Sequence, residues 1–156
     1  MSTAAHHEPP LSAEEAQDLA QRCADAMYSR DRASQSLGMR IVEMGPGRAR
    51  LTMRVRGDMV NGHAICHGGL VFTLADSAFA FACNSYNHNT VANGCAIEFL
   101  APAHEGDVLT AVAQEQAQVG RNGVYDVEVR NQAGTIIALF RGKSTRIKGH
   151  VVEEGA

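Results

Sequence analysis

The chain has no tryptophan, and its few phenylalanines and tyrosines bring aromatic content to only 5%. Platforms that hold single-stranded nucleic acid stack bases on such rings, so that class of partner has little to bind. An excess of positive charge is also missing: 14 basic residues are outweighed by 17 acidic ones, for a net charge of −3. That balance gives neither an electrostatic footprint for nucleic acid nor a polybasic membrane patch. No apolar run reaches the ~18 residues of a membrane span, and the opening MSTAAHHEPP lacks the basic and apolar regions of a secretory signal. A soluble, cytoplasmic protein is expected, with no nucleic-acid and no membrane partner. Cys23, Cys66, Cys83 and Cys95 are scattered, without the spacing of a disulfide scaffold or a zinc ribbon, and are expected to be reduced thiols. No G-x-S-x-G elbow, Walker loop or G-x-G-x-x-G is present.

What is present fits one domain, since 156 residues can bury one substantial core but not two. Residues 1–10 hold two prolines and two histidines without periodicity and read as a flexible arm. Ser12 and Glu15 form a capping box, and Leu19, Cys23, Ala26 and Met27 recur at helical spacing as far as Tyr28. From Gly38 the pattern becomes that of strands. Met39, Ile41 and Met44 precede a Gly45-Pro46-Gly47 turn, and Arg48 to Arg56 then alternates apolar residues with polar, mostly basic ones. Further strands are predicted over Thr90–Leu100, Val108–Val119, around Tyr125–Val129 and over Thr135–Ile147, with turns at 120–123 and 131–134. Strands grouped on both sides of one long helix, with hairpin-length turns, predict an α+β domain over residues 11–148. Its antiparallel sheet of about five to six strands would wrap a central helix, with an N-terminal helix alongside. Residues 149–156 read as a flexible tail.

That central helix lies in the stretch NGHAICHGGLVFTLADSAFAFACN, Asn61 to Asn84. One residue breaks its apolar run: Asp76, between Leu74-Ala75 and Ser77-Ala78-Phe79. Burying an unpartnered carboxylate costs several kcal/mol or shifts its pKa, so either a buried hydrogen-bond network or catalysis is the reason for its presence. Gly68 and Gly69 stand at the helix start, where amides have no partner within the helix and the dipole is positive. Such amides can polarise a carbonyl and stabilise an oxyanion, although a tight turn alone would also account for two glycines. Asp76 is eight residues beyond Gly68, about 12 Å along the axis, too far to share one carbonyl with it in the same chain. Joint action on one substrate requires two subunits.

Asn61 and His67, on the loop leading into the glycines, can orient a water or brace the loop, and His63 reads as loop surface. His63, Cys66 and His67 lack the further ligands of a zinc site, so no metal and no cofactor are expected. Cys66 beside His67 is not a convincing nucleophile–base pair, because sequence neighbours rarely converge.

This run, with CAIEFLAP, GVYDVEVRNQ and ALFRGKSTRI in the same order further on, resembles the hotdog-fold acyl-CoA thioesterases of the PaaI type, associated with phenylacetate degradation. The similarity extends from Met27 to Lys148. It implies hydrolysis of phenylacetyl-CoA or a ring-hydroxylated relative. Asp76 would act as nucleophile or general base, the Gly68 amide would polarise the thioester, and His67 and Asn61 would support the site. It implies further that Asp76 and Gly68 come from opposing subunits of a dimer, with two dimers forming a tetramer. The chain departs from the pattern at Leu70, Val71 and Tyr86–Asn89, which leaves the preferred acyl group open. Coenzyme A carries phosphates; Gly69, Arg141 and Lys143 are candidates for binding it, with Arg146 and Lys148 as further cations, and a solvated strand face is the alternative. A hotdog enoyl-CoA hydratase or dehydratase, and a non-catalytic acyl-CoA-binding module, are the competing functions.

Overall fold

Ser12 opens the first helix, α1 (Ala13–Tyr28), through the expected capping box. Its hydroxyl accepts from the Glu15 amide at 3.2 Å, and the Glu15 carboxylate accepts from the Ser12 amide at 2.7 Å. Two of the donors orphaned at a helix start are thereby satisfied. The computed structural model describes residues 10–153, so the predicted arm lies, apart from Pro10, outside the described residues. After α1 comes a helix too short to leave a periodic signal in the sequence, α2 (Arg32–Ser36), capped by Asp31, whose carboxylate accepts from the amide and the hydroxyl of Ser34.

Six strands follow in chain order: β1 (Arg40–Gly45), β2 (Arg48–Arg54), β3 (Thr90–Phe99), β4 (Val108–Val119), β5 (Asn122–Arg130) and β6 (Ile136–Arg146). They form one antiparallel sheet in the order β1-β2-β4-β5-β6-β3. Between β2 and β3 the chain makes a short 3-10 turn, Gly57–Met59, and the long helix α3 (Gly68–Cys83). The β1–β2 hairpin closes through Gly47 at φ +68°, where a side chain would also meet the Tyr86 hydroxyl at 2.7 Å. Glycine is the residue that satisfies both demands.

The helix α3 packs across one face of the sheet, against β2, β3, β4, β5 and β6. Ala75, Ala78 and Ala82 are fully buried and let the sheet come close, while Leu74 and Phe79 fill the remaining space. The Phe79 ring lies 5.6 Å from that of Tyr125 and 5.8 Å from that of Phe140. Strand alternation supplies the other side of the core: Leu51, Ala111, Val127 and Phe140 point toward α3, and Arg50, Val112, Glu128 and Leu139 point away. The two edge strands differ. β1 is flanked by α1, whereas β3 has a free edge and seven of its ten residues are exposed.

Of the free tail expected over residues 149–156, the described part, to residue 153, is held by hydrogen bonds, and residues 154–156 lie outside the described residues. Asn87, itself at φ +63°, accepts from the Val152 amide at 2.8 Å and donates to its carbonyl at 3.1 Å, and His150 Nδ1 contacts the Asn87 carbonyl oxygen at 2.9 Å. A polar sequence concealed this clamp because its anchor is 65 residues away.

Gly142 is where the sheet and α3 approach most tightly: a Cβ there would stand 2.8 Å from three atoms of the Phe79 ring. Gly142→Ala should therefore destabilise the fold by about 1–3 kcal/mol, the usual cost of overpacking, read as a lowered urea midpoint with an unchanged m-value.

Candidate active site

The loop entering α3 is held shut by Asn61. Its side-chain oxygen accepts from the amides of His63 at 2.9 Å and Ile65 at 3.4 Å, while its own amide donates to the Ile65 carbonyl at 2.9 Å. The far end of the loop is pinned from two directions, with the Cys66 amide donating to Ala103 O at 2.7 Å and the His67 amide to Met59 O at 2.8 Å. His67 is thus delivered as the N-cap of α3, in extended conformation, and its Nδ1 accepts from the Gly69 amide at 2.9 Å. An accepting Nδ1 leaves Nε2 as the donor of the neutral ring. Gly69 has no room for a side chain, since a Cβ would stand 3.0 Å from that same Nδ1.

The first turn can be accounted for donor by donor. Gly69 gives its N–H to the imidazole, and Leu70 and Val71 give theirs to the His67 carbonyl at 2.9 and 3.4 Å. Gly68 N–H is left without a partner among the described residues. An unsatisfied amide at the positive end of a helix is poised to accept a ligand oxygen. It borders a 450 Å³ groove whose walls are mainly apolar, including Ile65, Val71, Phe99 and Leu100, with Asn61 at its rim. Phe99 reaches across to α3, its ring 3.1 Å from where a Gly68 Cβ would be.

Asp76 sits two turns further along α3, half-buried, and has neither a hydrogen bond nor an ion pair among the described residues. Burial pushes its carboxyl pKa up. The carboxylate lies near Cys95 on β3 and near Cys83, whose thiols are pushed up first by burial and further by the Asp76 charge, Cys83 to about 12. Cys66 is likewise pushed up, mainly by burial, so it supplies no thiolate for a dyad with His67.

The helix sets the spacing within one chain: Gly68 and Asp76 are eight residues apart on α3, about 12 Å along its axis. Asn61, His67, Gly68 and Gly69 therefore come together, and Asp76 of the same chain does not join them. Arg141 and Lys143 do point the same way, on the sheet face turned away from α3. Arg141 grips Asp126 through two hydrogen bonds, at 2.6 and 2.8 Å, and holds that carboxyl below its ordinary range. Val71 lines the groove. Tyr86 to Asn89 lie at the opposite end of α3 and do not; Tyr86 packs there, where burial and then Glu115 push its hydroxyl up to about 12. Phe99 and Ile65 emerged only from the fold, although an aromatic residue ending a strand just before Leu100-Ala101-Pro102 was a visible signal.

Residues 63–138 match the model of the thioesterase superfamily. The chain is also 50% identical over 131 residues to the acyl-coenzyme A thioesterase PaaI of Escherichia coli K12, covering 84% of this chain and 94% of that protein. The chain belongs to the thioesterase superfamily. Like the E. coli protein, this thioesterase has the hotdog fold: the solved E. coli structure superposes with a TM-score of 0.85 at 49% identity, over 86% of this chain and 97% of that one. The phenylacetic acid degradation protein PaaI of Thermus thermophilus, solved as a point mutant, superposes with a TM-score of 0.72 at 35% identity, over 75% of this chain and 100% of that one. A Streptococcus pneumoniae thioesterase solved with coenzyme A gives 0.69 at 25% identity, over 72% and 90%. Among the described residues of this thioesterase no helix is long and apolar enough to cross a membrane, and no cluster of three metal-ligating side chains occurs.

Proline at position 68 removes the amide and adds a Cβ that presses on the Phe99 ring, 3.1 Å away, so Gly68→Ala, which keeps the amide, is the control for that contact. Proline is favoured at the first helical position, and the preceding His67, at ψ 129°, already has the backbone conformation that proline demands. Gly68→Pro should preserve the circular dichroism spectrum while lowering kcat for thioester hydrolysis by roughly 10²–10³-fold, the usual loss for one oxyanion donor. Unchanged kcat would mean that another donor does the polarising.

Proposed function

We propose that this thioesterase hydrolyses phenylacetyl-CoA, or a ring-hydroxylated relative, to the free acid and coenzyme A in phenylacetate catabolism in the cytoplasm. The observation that carries the reading is the unpartnered Gly68 N–H opening onto an apolar groove. The E. coli relative, described as coming from a phenylacetic acid degradation operon, supports the choice of acyl group, and the coenzyme A-bound pneumococcal relative supports the choice of thioester.

The chemistry follows from charge development. Gly68 N–H, braced by the His67 cap and the Asn61 loop, stabilises the negative charge that builds on the thioester oxygen. The Asp76 carboxylate then has two routes. In one, its oxygen attacks the carbonyl carbon, the C–S bond breaks, coenzyme A leaves as the thiolate and is protonated, and water hydrolyses the mixed anhydride. In the other, it takes a proton from water and the resulting hydroxide attacks directly. The net change is the same, thioester plus water giving acid plus thiol.

Because Asp76 and Gly68 of one chain are about 12 Å apart, each site is formed by two chains, Asp76 from one and Gly68 from the other. The free, exposed edge of β3 supports such a pairing, since an uncovered strand edge invites association. The working unit is a homodimer, and dimers associate into a tetramer. Arg141 and Lys143 do not line the groove of their own chain, and as ligands of the coenzyme phosphates they would serve a site in the assembled protein.

Thiol release measured over a panel of aromatic and straight-chain acyl-CoAs, with crotonyl-CoA hydration followed in parallel, reads reaction and preference together. Phenylacetyl-type substrates should give the highest kcat/KM, and hydration without thiol release would overturn the reading. Asp76→Asn should lower turnover roughly 10²–10⁴-fold. Both routes need the ionised carboxylate, and burial raises its pKa. The acid limb of the wild-type kcat/KM profile should therefore lie above the ordinary aspartate range, activity falling as pH drops through it.

A further inference from the structure

The face of α3 that carries Asp76 leads to a second depression, at the far end of the helix from Gly68. Ala80 follows Asp76 on that face, half-buried like it, and Asn84 caps the helix eight residues beyond Asp76, about 12 Å along the axis. There the end of α1, with Met27 and Arg30, stands on one side, and the start of β3, with Thr90 and Val91, on the other. His150 and Val151 of the tail form the end wall of this 400 Å³ space, fixed by the hydrogen bonds that tie the tail to Asn87. Asn89, within the segment where the sequence leaves the family pattern, also lines it.

The polar groups of this space are almost all committed. Asn84 donates to the carbonyls of Ala80 and Thr90 at 2.9 and 3.0 Å and accepts from the Thr90 amide at 2.9 Å. The Thr90 hydroxyl donates to His88 O at 2.8 Å, Asn89 donates to Lys148 O at 3.4 Å, and His150 Nδ1 contacts Asn87 O. Arg30 differs. Its amide donates to Met27 O at 3.1 Å, but its guanidinium has neither a hydrogen bond nor an ion pair among the described residues. Glu153 borders a neighbouring depression together with Arg30 and makes no ion pair with it, and no acidic side chain lines the space at Asn84 among the described residues. A guanidinium is a permanent cation with five donors in a planar fork and no acceptor, which a carboxylate matches in both charge and geometry. Beside it Met27, Val91, Ile147 and Val151 are apolar. One uncommitted cation among apolar walls suits a guest with a hydrophobic body and an anionic end.

We propose that Arg30 determines specificity by receiving a carboxylate at the far end of the acyl group, which extends the substrate class to arylacetyl thioesters that carry a second carboxylate on the ring. The inference rests on the reading of Asp76 as the group that attacks the thioester. Length agrees with it. A 4-carboxyphenylacetyl group spans about 7 Å from thioester carbon to carboxylate carbon by ordinary bond lengths. A contact of about 3 Å at each end then brings it to the separation of Asp76 and Asn84. The tail wall suits this short group and not the much longer coenzyme.

Thiol release from 4-carboxyphenylacetyl-CoA and from 4-carbamoylphenylacetyl-CoA, which has the same shape without the charge, tests this in the wild-type chain, Arg30→Met and Arg30→Lys. The wild type should favour the carboxylate in kcat/KM by at least about tenfold, chiefly through KM. Arg30→Met, which keeps the stem and loses the charge, should bring that ratio to about one, and Arg30→Lys should fall between. A folding defect lowers both rates together and leaves the ratio alone. A wild-type ratio at or below one, or a ratio that Arg30→Met does not move, overturns the inference. So does a loss in Arg30→Met that is equal for both substrates and vanishes with their dephospho-coenzyme A forms, because Arg30 would then hold a coenzyme phosphate. In each of these cases hydrolysis of phenylacetyl-CoA leaves the thioesterase reading standing, whereas no thiol release from any of the three thioesters overturns both.

Discussion

One hydrogen bond, from the Gly69 amide to His67 Nδ1, decides what the start of α3 can do. A helix leaves its first amides unsatisfied, and an end buried without partners is costly. Here the imidazole takes one donor and the His67 carbonyl takes two, so the helix is capped while a single amide, that of Gly68, stays open. The loop bonds of Asn61, Cys66 and His67 serve this arrangement by fixing where His67 arrives. Both glycines sit in close quarters there: a Cβ at Gly69 would press on the imidazole, and one at Gly68 on the Phe99 ring.

The second constraint is length. A helix that spans the sheet is too long for its own carboxylate to reach its own first amide, so on the proposed mechanism the features that make α3 a good core element also divide the chemistry between chains. Asp76 bears the cost of that division. It is half-buried, unpaired among the described residues and raised in pKa, the condition expected of a group that meets its partner in the reaction.

Much of this was legible in the sequence because local rules and fold agreed. The capping box at Ser12, the Pro46-Gly47 turn, the alternation in β2 and β5 and the apolar run of α3 each specify one conformation. What was hidden depended on contacts distant in sequence. The anchoring of the tail to Asn87, the placement of Phe99 over Gly68 and the capture of Arg141 by Asp126 all join segments from separate elements. Arg141 shows the limit most clearly. Strand periodicity gave its direction correctly, but only the register shows that this direction meets an aspartate on β5. The short α2 escaped notice for another reason, being too brief to show a period.

Co-expression of Asp76→Asn chains with Gly68→Pro chains in equal amounts tests the two-chain site most directly. Each variant alone lacks one half of every site, whereas a mixed dimer contains one site with both halves intact. Random pairing makes half the dimers mixed, with one working site of two, so activity should recover to about a quarter of wild type. Activity no greater than the sum of the two inactive parents, in a sample where mixed dimers are demonstrated, would contradict a site shared between chains.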